Sequence, residues 1–263
     1  TLEGIVNKAA ISNAATGAGI LAIADATATV TMINCRNDAA ISTSGQAAGL
    51  VGYINNNVNT ITGCENTADI TSTGGSAAGI IARFGVNAAK ADVDKVIITD
   101  CVNSGNVYTD GTQAGGMLAY LVGGTEIKNC VNKGSITSSN NKAGGIFGNT
   151  GHARGHLFLL AANIVNNGNV WSSKNYAGGI VGNADLANGY FYGNFIDCVN
   201  NGNITTREAE ENTFADIKRQ SVTPIIGIHT PDLLVHCYRI NEEGRLLYIQ
   251  NEYEKAFKQF NEA

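Results

Sequence analysis

A phrase of the form Cys-x-Asn-x-(Ala/Gly)-x-(Ile/Val) recurs along this chain, and that recurrence constrains the fold more than any other feature. Its clearest copy holds Cys130, Asn132, Gly134 and Ile136; the others begin at Ile5, Cys35, Cys64, Cys101, Ile164 and Cys198, with asparagines two residues on at Asn7, Asn37, Asn66, Asn103, Asn166 and Asn200. The copies lie about 30 to 37 residues apart, within the range of stacked repeats. Six are followed by a second, glycine-rich phrase, as in Gly144-Gly145-Ile146-Phe147-Gly148 and Gly178-Gly179-Ile180-Val181-Gly182. A third stretch, such as Val30-Thr31-Met32-Ile33, alternates apolar with polar residues and reads as a strand.

Three short strands per repeat, separated by Asn- and Gly-containing corners, predict an all-β chain: a parallel β-helix of about seven three-strand coils. Helical repeats need amphipathic runs of ten or more residues. Composition agrees, because 32 glycines and only 2 prolines among 263 residues suit close-packed short strands better than an ordinary globular core. In such a stack equivalent residues form ladders. Ile11, Ile41, Ile70, Val107, Ile136, Val170 and Ile204 are expected inside, and Ser12, Ser42, Thr71, Tyr108, Thr137, Trp171 and Thr205 outside. The Asn two residues after the Cys is expected at a corner that tolerates left-handed backbone, its amide bonding to the coils above and below. Replacing one by leucine should unsettle that corner.

The boundaries follow from the pattern: repeats over 1–206, degenerate final coils with a charged insertion over 207–250, and a capping helix over 251–263. In the seventh copy the charged run Arg207 to Gln220 replaces the glycine phrase, and Val222-Thr223-Pro224-Ile225-Ile226-Gly227 reads as its degenerate form. Leu233 to Tyr238 resembles an incomplete eighth coil. Tyr253, Phe257 and Phe260 fall at helical spacing, suited to covering the last coil or to packing on a neighbouring domain.

Net charge is −5 with no lysine or arginine run, so nucleic acid and anionic membrane surfaces are not expected partners. No apolar run approaches the roughly 20 residues of a membrane span. Because Thr1 precedes the first repeat by only a few residues, the chain reads as a piece of a longer protein with further domains.

On Gly145-Ile146-Phe147-Gly148, Gly179-Ile180-Val181-Gly182 and the Cys-x-Asn-x-Gly phrase, over roughly Ile5 to Ile204, the chain resembles the GLUG-motif repeats of bacterial secreted and surface proteins. The resemblance implies an extracellular adhesive or spacer region, which in some relatives accompanies a metallopeptidase domain.

Cysteine is expected as buried free thiol rather than disulfide. Five copies place it where Ile5 and Ile164 stand in the others, so the site wants a small apolar filler. No Cys-x-x-Cys spacing suggests zinc. His152 and His156 lie four apart, but their flanking glycines indicate a solvated loop, and Ala153 stands where a zincin needs glutamate. Asp92 and Asp94 read as a solvated loop rather than a calcium site. Asp100 and Asp197 precede the cysteine where Asn34, Asn129 and Asn163 stand elsewhere, a turn position rather than a catalytic one. No cofactor, metal site or catalytic cluster is expected.

The candidate binding residues lie in two places. Tyr108 and Trp171 interrupt an outer row of Ser and Thr, with Tyr176 close by in sequence; the variable connection after the glycine phrase carries Arg83, Phe84, His152, Arg154, His156, Tyr190 and Tyr192. The expected function is therefore a non-catalytic extracellular scaffold, an adhesin or stalk contacting a glycan or host protein. The alternative is a glycan-processing β-helix enzyme or the accessory region of a larger secreted enzyme such as a peptidase.

Overall fold

The computed structural model describes residues 1–207 except 56, 86–93, 151–154, 175 and 185–188, together with 222–223, 233–240 and 246–249. All regular elements of these residues are β-strands, and consecutive coils pair in parallel into three sheets. One coil shows the plan. Lys95–Thr99 and Val102–Asn103 lie in the first sheet, Val107–Thr109 and Gln113–Gly115 form two arms of the second, and Leu118–Leu121 lies in the third. The next coil then begins at Gly124–Lys128, paired rung for rung with Lys95–Thr99.

The third sheet has six strands, marking six complete turns among the described residues. A seventh adds Gly189–Asn200, Ile204–Thr206 and Val222–Thr223. Val222 and Thr223 pair with Ala177 and Gly178, so the register places the degenerate phrase where it was expected. Leu233–Ile240 pairs in parallel with Gly189–Asn200, as an eighth rung of the first sheet should, and then turns back antiparallel against Leu246–Ile249. The predicted helix over 251–263 lies outside the described residues.

Two cores run the length of the stack. The larger lies between the first and third sheets, where Met32, Ile61, Ile98 and Ile127 meet the Cys35, Cys64, Cys101 and Cys130 column and the Leu50, Ile80, Met117, Ile146 and Ile180 column. In the smaller, the predicted Ile41, Ile70, Val107, Ile136 and Val170 ladder packs on Ala47, Ala77, Ala114, Ala143 and Ala177 from the opposing arm. Each fully buried Ile or Leu contributes roughly 1.5–3 kcal/mol of burial. Because the facing ladder is alanine, the two arms close tightly.

A column of amides, buried from Asn37 to Asn166, joins the coils. Asn7, Asn37, Asn66, Asn103, Asn132, Asn166 and Asn200 each donate one Nδ2 hydrogen to the carbonyl two residues on in their own coil. All but the last donate the other to the Oδ1 of the next coil's asparagine, at 2.6–2.8 Å. Both N–H groups of each linking amide are thus satisfied, and the chain of bonds has one direction.

Bonding between coils is as expected, but the left-handed corner is not at these residues. It sits just before the cysteine, where Asn34, Asp100, Asn129, Asn163 and Asp197 have φ of 50° to 56° and glycine serves at Gly4 and Gly63. Asn and Asp tolerate that conformation through local hydrogen bonding, which explains why those two residue types share the position with Gly.

The two sequence phrases meet in space. A Cβ placed on Gly79 would lie 2.3 Å from Asn103 Cγ, and one on Gly49 would lie 2.5 Å from Asn66 Cγ. The glycine of one coil is therefore the floor on which the amide of the next coil rests.

Candidate functional site

Pairing in the second sheet brings Tyr108 and Trp171 onto one outer row. Tyr108 pairs with Thr71 and Thr137, and Thr137 with Trp171, so the two aromatics stand two strand spacings apart, roughly 10 Å. Alternation turns both away from the small core that Val107 and Val170 enter. Tyr108 is 37% exposed and Trp171 half-buried.

Charged groups border both rings. The Tyr108 hydroxyl donates to Asp110 Oδ1, and Ser139 Oγ donates to the same oxygen from the next coil at 2.7 Å. These two bonds hold the Asp110 carboxyl below the usual range, while the carboxylate pushes the Tyr108 phenol up. At the other end the Arg207 guanidinium carbon sits 5.9 Å from the Trp171 ring centroid, at the limit of cation–π contact.

Tyr176 does not join this row. Its neighbour Ala177 enters the small core from the opposing arm, so Tyr176 leaves that core on the other side, where Lys142 Nζ lies 5.8 Å from its ring and donates to Asn149 Oδ1 at 3.2 Å. Closeness in sequence misleads here because Val170 and Ala177 fill the small core from its two arms, which puts Trp171 and Tyr176 on opposite sides of it.

The predicted connection loop is largely strand. His156, Tyr190 and Tyr192 fall in Gly155–Asn166 and Gly189–Asn200, which pair in parallel with His156 opposite Tyr190. Two long insertions in successive coils supply each other's backbone partners, which outweighs the flanking glycines. His152 and Arg154 lie outside the described residues. Arg83 and Phe84 are also in a strand, Ile81–Phe84, and Phe84 is fully buried in the larger core. Asp92 lies outside the described residues, whereas Asp94 is buried and accepts the Asn57 backbone N–H at 2.8 Å rather than standing solvated.

The described cysteines are free thiols as expected: Cys35, Cys64, Cys101 and Cys130 are buried, and Cys198 is partly so. Cys35 N–H points at the Cys64 sulfur (3.3 Å) and Cys101 N–H at the Cys130 sulfur (3.4 Å). The Cys64 thiol is pushed well up because it hydrogen-bonds to Cys101 as a thiol and is buried, and Cys101 is raised likewise through Cys130. Such groups are poor nucleophiles.

Among the described residues no three His, Cys, Asp or Glu side chains gather closely enough to hold a metal. Three surface carboxylates are tied to neighbours: Asp38 to Arg36 and Thr67, Asp110 to Tyr108 and Ser139, and Glu126 to Lys128 and Lys95. Each is held below the ordinary carboxylate range. That favours a fixed negative charge over a proton donor at neutral pH.

A second row, missed in the sequence pattern, is exposed or half-buried at Ile23, Tyr53, Arg83 and Tyr120 and buried at Asn149 and Asn183. In the third sheet Ile23, Tyr53, Arg83, Tyr120, Asn149 and Asn183 are successive rungs. The Arg83 guanidinium lies over both neighbouring rings, 5.2 Å from the Tyr53 centroid and 5.0 Å from that of Tyr120. The signal was present: each of the last five stands four residues after the glycine that precedes the apolar residue of its phrase, Gly49, Gly79, Gly116, Gly145 or Gly179.

No protein-family model matches the chain, and no curated protein matches it. A solved structure does: a Bacteroides ovatus protein provisionally named an immunoglobulin A1 protease, with a TM-score of 0.50 and 15% identity over 91% of this chain and 75% of that one. At that identity the likeness shows a shared β-solenoid fold.

Proposed function

We propose that this chain is a non-catalytic repeat scaffold of an extracellular bacterial protein, of the GLUG-repeat kind, whose second sheet offers a contact face for a glycan or a host or cell-surface protein. The observation that carries the reading is the Tyr108–Thr137–Trp171 row. Two aromatic side chains stand outward on a rigid parallel sheet, bordered by Asp110 at one end and Arg207 at the other. Aromatic faces flanked by polar groups recognise sugar rings and anchor protein partners. The hydrogen-bonded carboxylates support recognition over proton transfer.

The test is a binding panel of glycans and matrix proteins. The parent should bind at least one component, and Trp171→Ala should weaken that binding about tenfold with the melting temperature unchanged. Binding unaffected by Trp171→Ala would remove this face from consideration.

A second reading, the accessory region of a larger secreted peptidase, draws support from the name carried by the Bacteroides ovatus neighbour. It predicts that the chain binds the peptidase's substrate protein and not glycans.

A further inference from the structure

We infer that Arg83 and its flanking tyrosines form a second binding strip, on the third sheet, for the carboxylate groups of an acidic glycan lying along the coil axis. The site is built around the Arg83 guanidinium. Its two faces are covered by Tyr53 and Tyr120, and its Nε–H donates to the Gly85 carbonyl at 3.4 Å. A guanidinium carries five N–H groups, so four remain on the two terminal nitrogens. Among the described residues none of these four meets an acceptor and Arg83 makes no ion pair, although the side chain is half-buried.

Stacking has stripped water from the faces of the cation while its rim stays unpaired. A planar fork in that state matches a two-oxygen anion lying in its plane. The surroundings favour negative charge as well. None of the third-sheet strands Leu21–Ala24, Val51–Ile54, Ile81–Phe84, Leu118–Leu121, Phe147–Thr150 and Val181–Asn183 contains an acidic residue. Lys142 adds a positive charge to the same row, its ammonium reaching Asn149 one rung beyond Tyr120.

The row's geometry selects a glycan over a peptide. Val51–Ile54, Ile81–Phe84 and Leu118–Leu121 are each paired on both sides, so no free sheet edge is available for an added strand. What the row presents instead are two phenols flanking a guanidinium on three successive coils about 4.8 Å apart, a polar track for a hydroxyl-rich polymer. This strip is distinct from the Tyr108–Trp171 face and does not depend on it.

The experiment is affinity measurement with three probes, polygalacturonate, its fully methyl-esterified form and polyglutamate, against the parent, Arg83→Ala, Arg83→Lys, Tyr120→Phe and Trp171→Ala. The expected result is salt-sensitive binding of polygalacturonate, lost about tenfold or more in Arg83→Ala and partly in Arg83→Lys, which keeps charge without the fork. Methyl esterification should abolish binding, and Trp171→Ala should leave it unchanged. Tyr120→Phe keeps the stacked ring and tests the phenol if Arg83→Ala does not fold; a measurable loss is expected. Failure of the parent to bind polygalacturonate, equal binding of the methyl ester, or unaltered binding by the folded Arg83 and Tyr120 variants would overturn the inference. Polyglutamate bound as tightly, with the same Arg83 dependence, would overturn the glycan assignment.

Discussion

Asn103→Leu removes one rung from the middle of the amide column while keeping the number and branching of side-chain heavy atoms. Asn103 is fully buried; it accepts from Asn66 Nδ2 at 2.8 Å and donates to Asn132 Oδ1 at 2.7 Å and to the Gly105 carbonyl at 2.9 Å. Leucine deletes three hydrogen bonds, each worth about 1 kcal/mol net, and leaves an N–H of Asn66 and the oxygen of Asn132 buried and short of a partner, at about 1–3 kcal/mol each. Its branched Cγ must also rest on Gly79, where the flat amide already excludes a Cβ. Part of this cost is offset by added apolar burial, giving a destabilisation of about 3–5 kcal/mol. Asn7→Leu, at the first rung, removes one inter-coil bond near the surface and should cost about 1 kcal/mol. The assay is urea unfolding followed by far-ultraviolet circular dichroism, read as a midpoint shift at constant slope. Equal effects at the two positions, or a loss under 1 kcal/mol at Asn103, would refute the claim that the amide column holds the coils in register.

Other predictions concern the corners, the floor and the thiols. Gly79→Ala should destabilise by about 1–3 kcal/mol, since its Cβ would meet the Gly116 carbonyl oxygen at 2.3 Å as well as Asn103, and thermal melting checks it. Asn129→Ala, at φ 54°, should cost about 1 kcal/mol more than Asn129→Gly, a contrast that conformational freedom alone produces because both variants lose the same bonds to Asp100 and Asn163. Cys64 and Cys101 should resist a thiol reagent in the native protein and react on unfolding. Their native thiols hold the proton beyond the usual value, so the unfolded chain ionises first, and their contribution to stability should decline as pH rises above about 8.5. Glu126 has the opposite sign: its lowered value means that its contribution is present above about 4.3 and is lost as pH falls, which acid titration of the melting temperature reads in parent and Glu126→Gln.

The solenoid was legible because its ladders are written at fixed offsets from one phrase. Ile41, Ile70, Val107 and Ile136 pair in the expected register, and Ser42, Thr71, Tyr108 and Thr137 alternate to the outside. The cysteine column was legible for the same reason. What a linear pattern hides is contact between phrases of different coils, so the closeness of Gly79 to Asn103 and the Arg83 stack emerge only in three dimensions. Glycine suggested loops around His156 and Tyr190, but inter-coil pairing made those stretches strand, because one extended segment supplies hydrogen bonds to the next. Sequence proximity groups Tyr176 with Trp171, and the small core that Val170 and Ala177 fill separates them. Asn suits both a left-handed corner and an amide ladder, so sequence alone places the corner at the Cys-x-Asn asparagine; burial of the amide fixes one role there and leaves the turn to the residue before the cysteine.

The central claim, that the second-sheet row is a contact face, is tested most directly by hydroxyl-radical footprinting with and without the strongest ligand from the binding panel. Trp171 and Tyr108 should lose labelling together when ligand saturates, while buried Phe84 stays unlabelled throughout. Full labelling of Trp171 and Tyr108 in the saturated complex would contradict it.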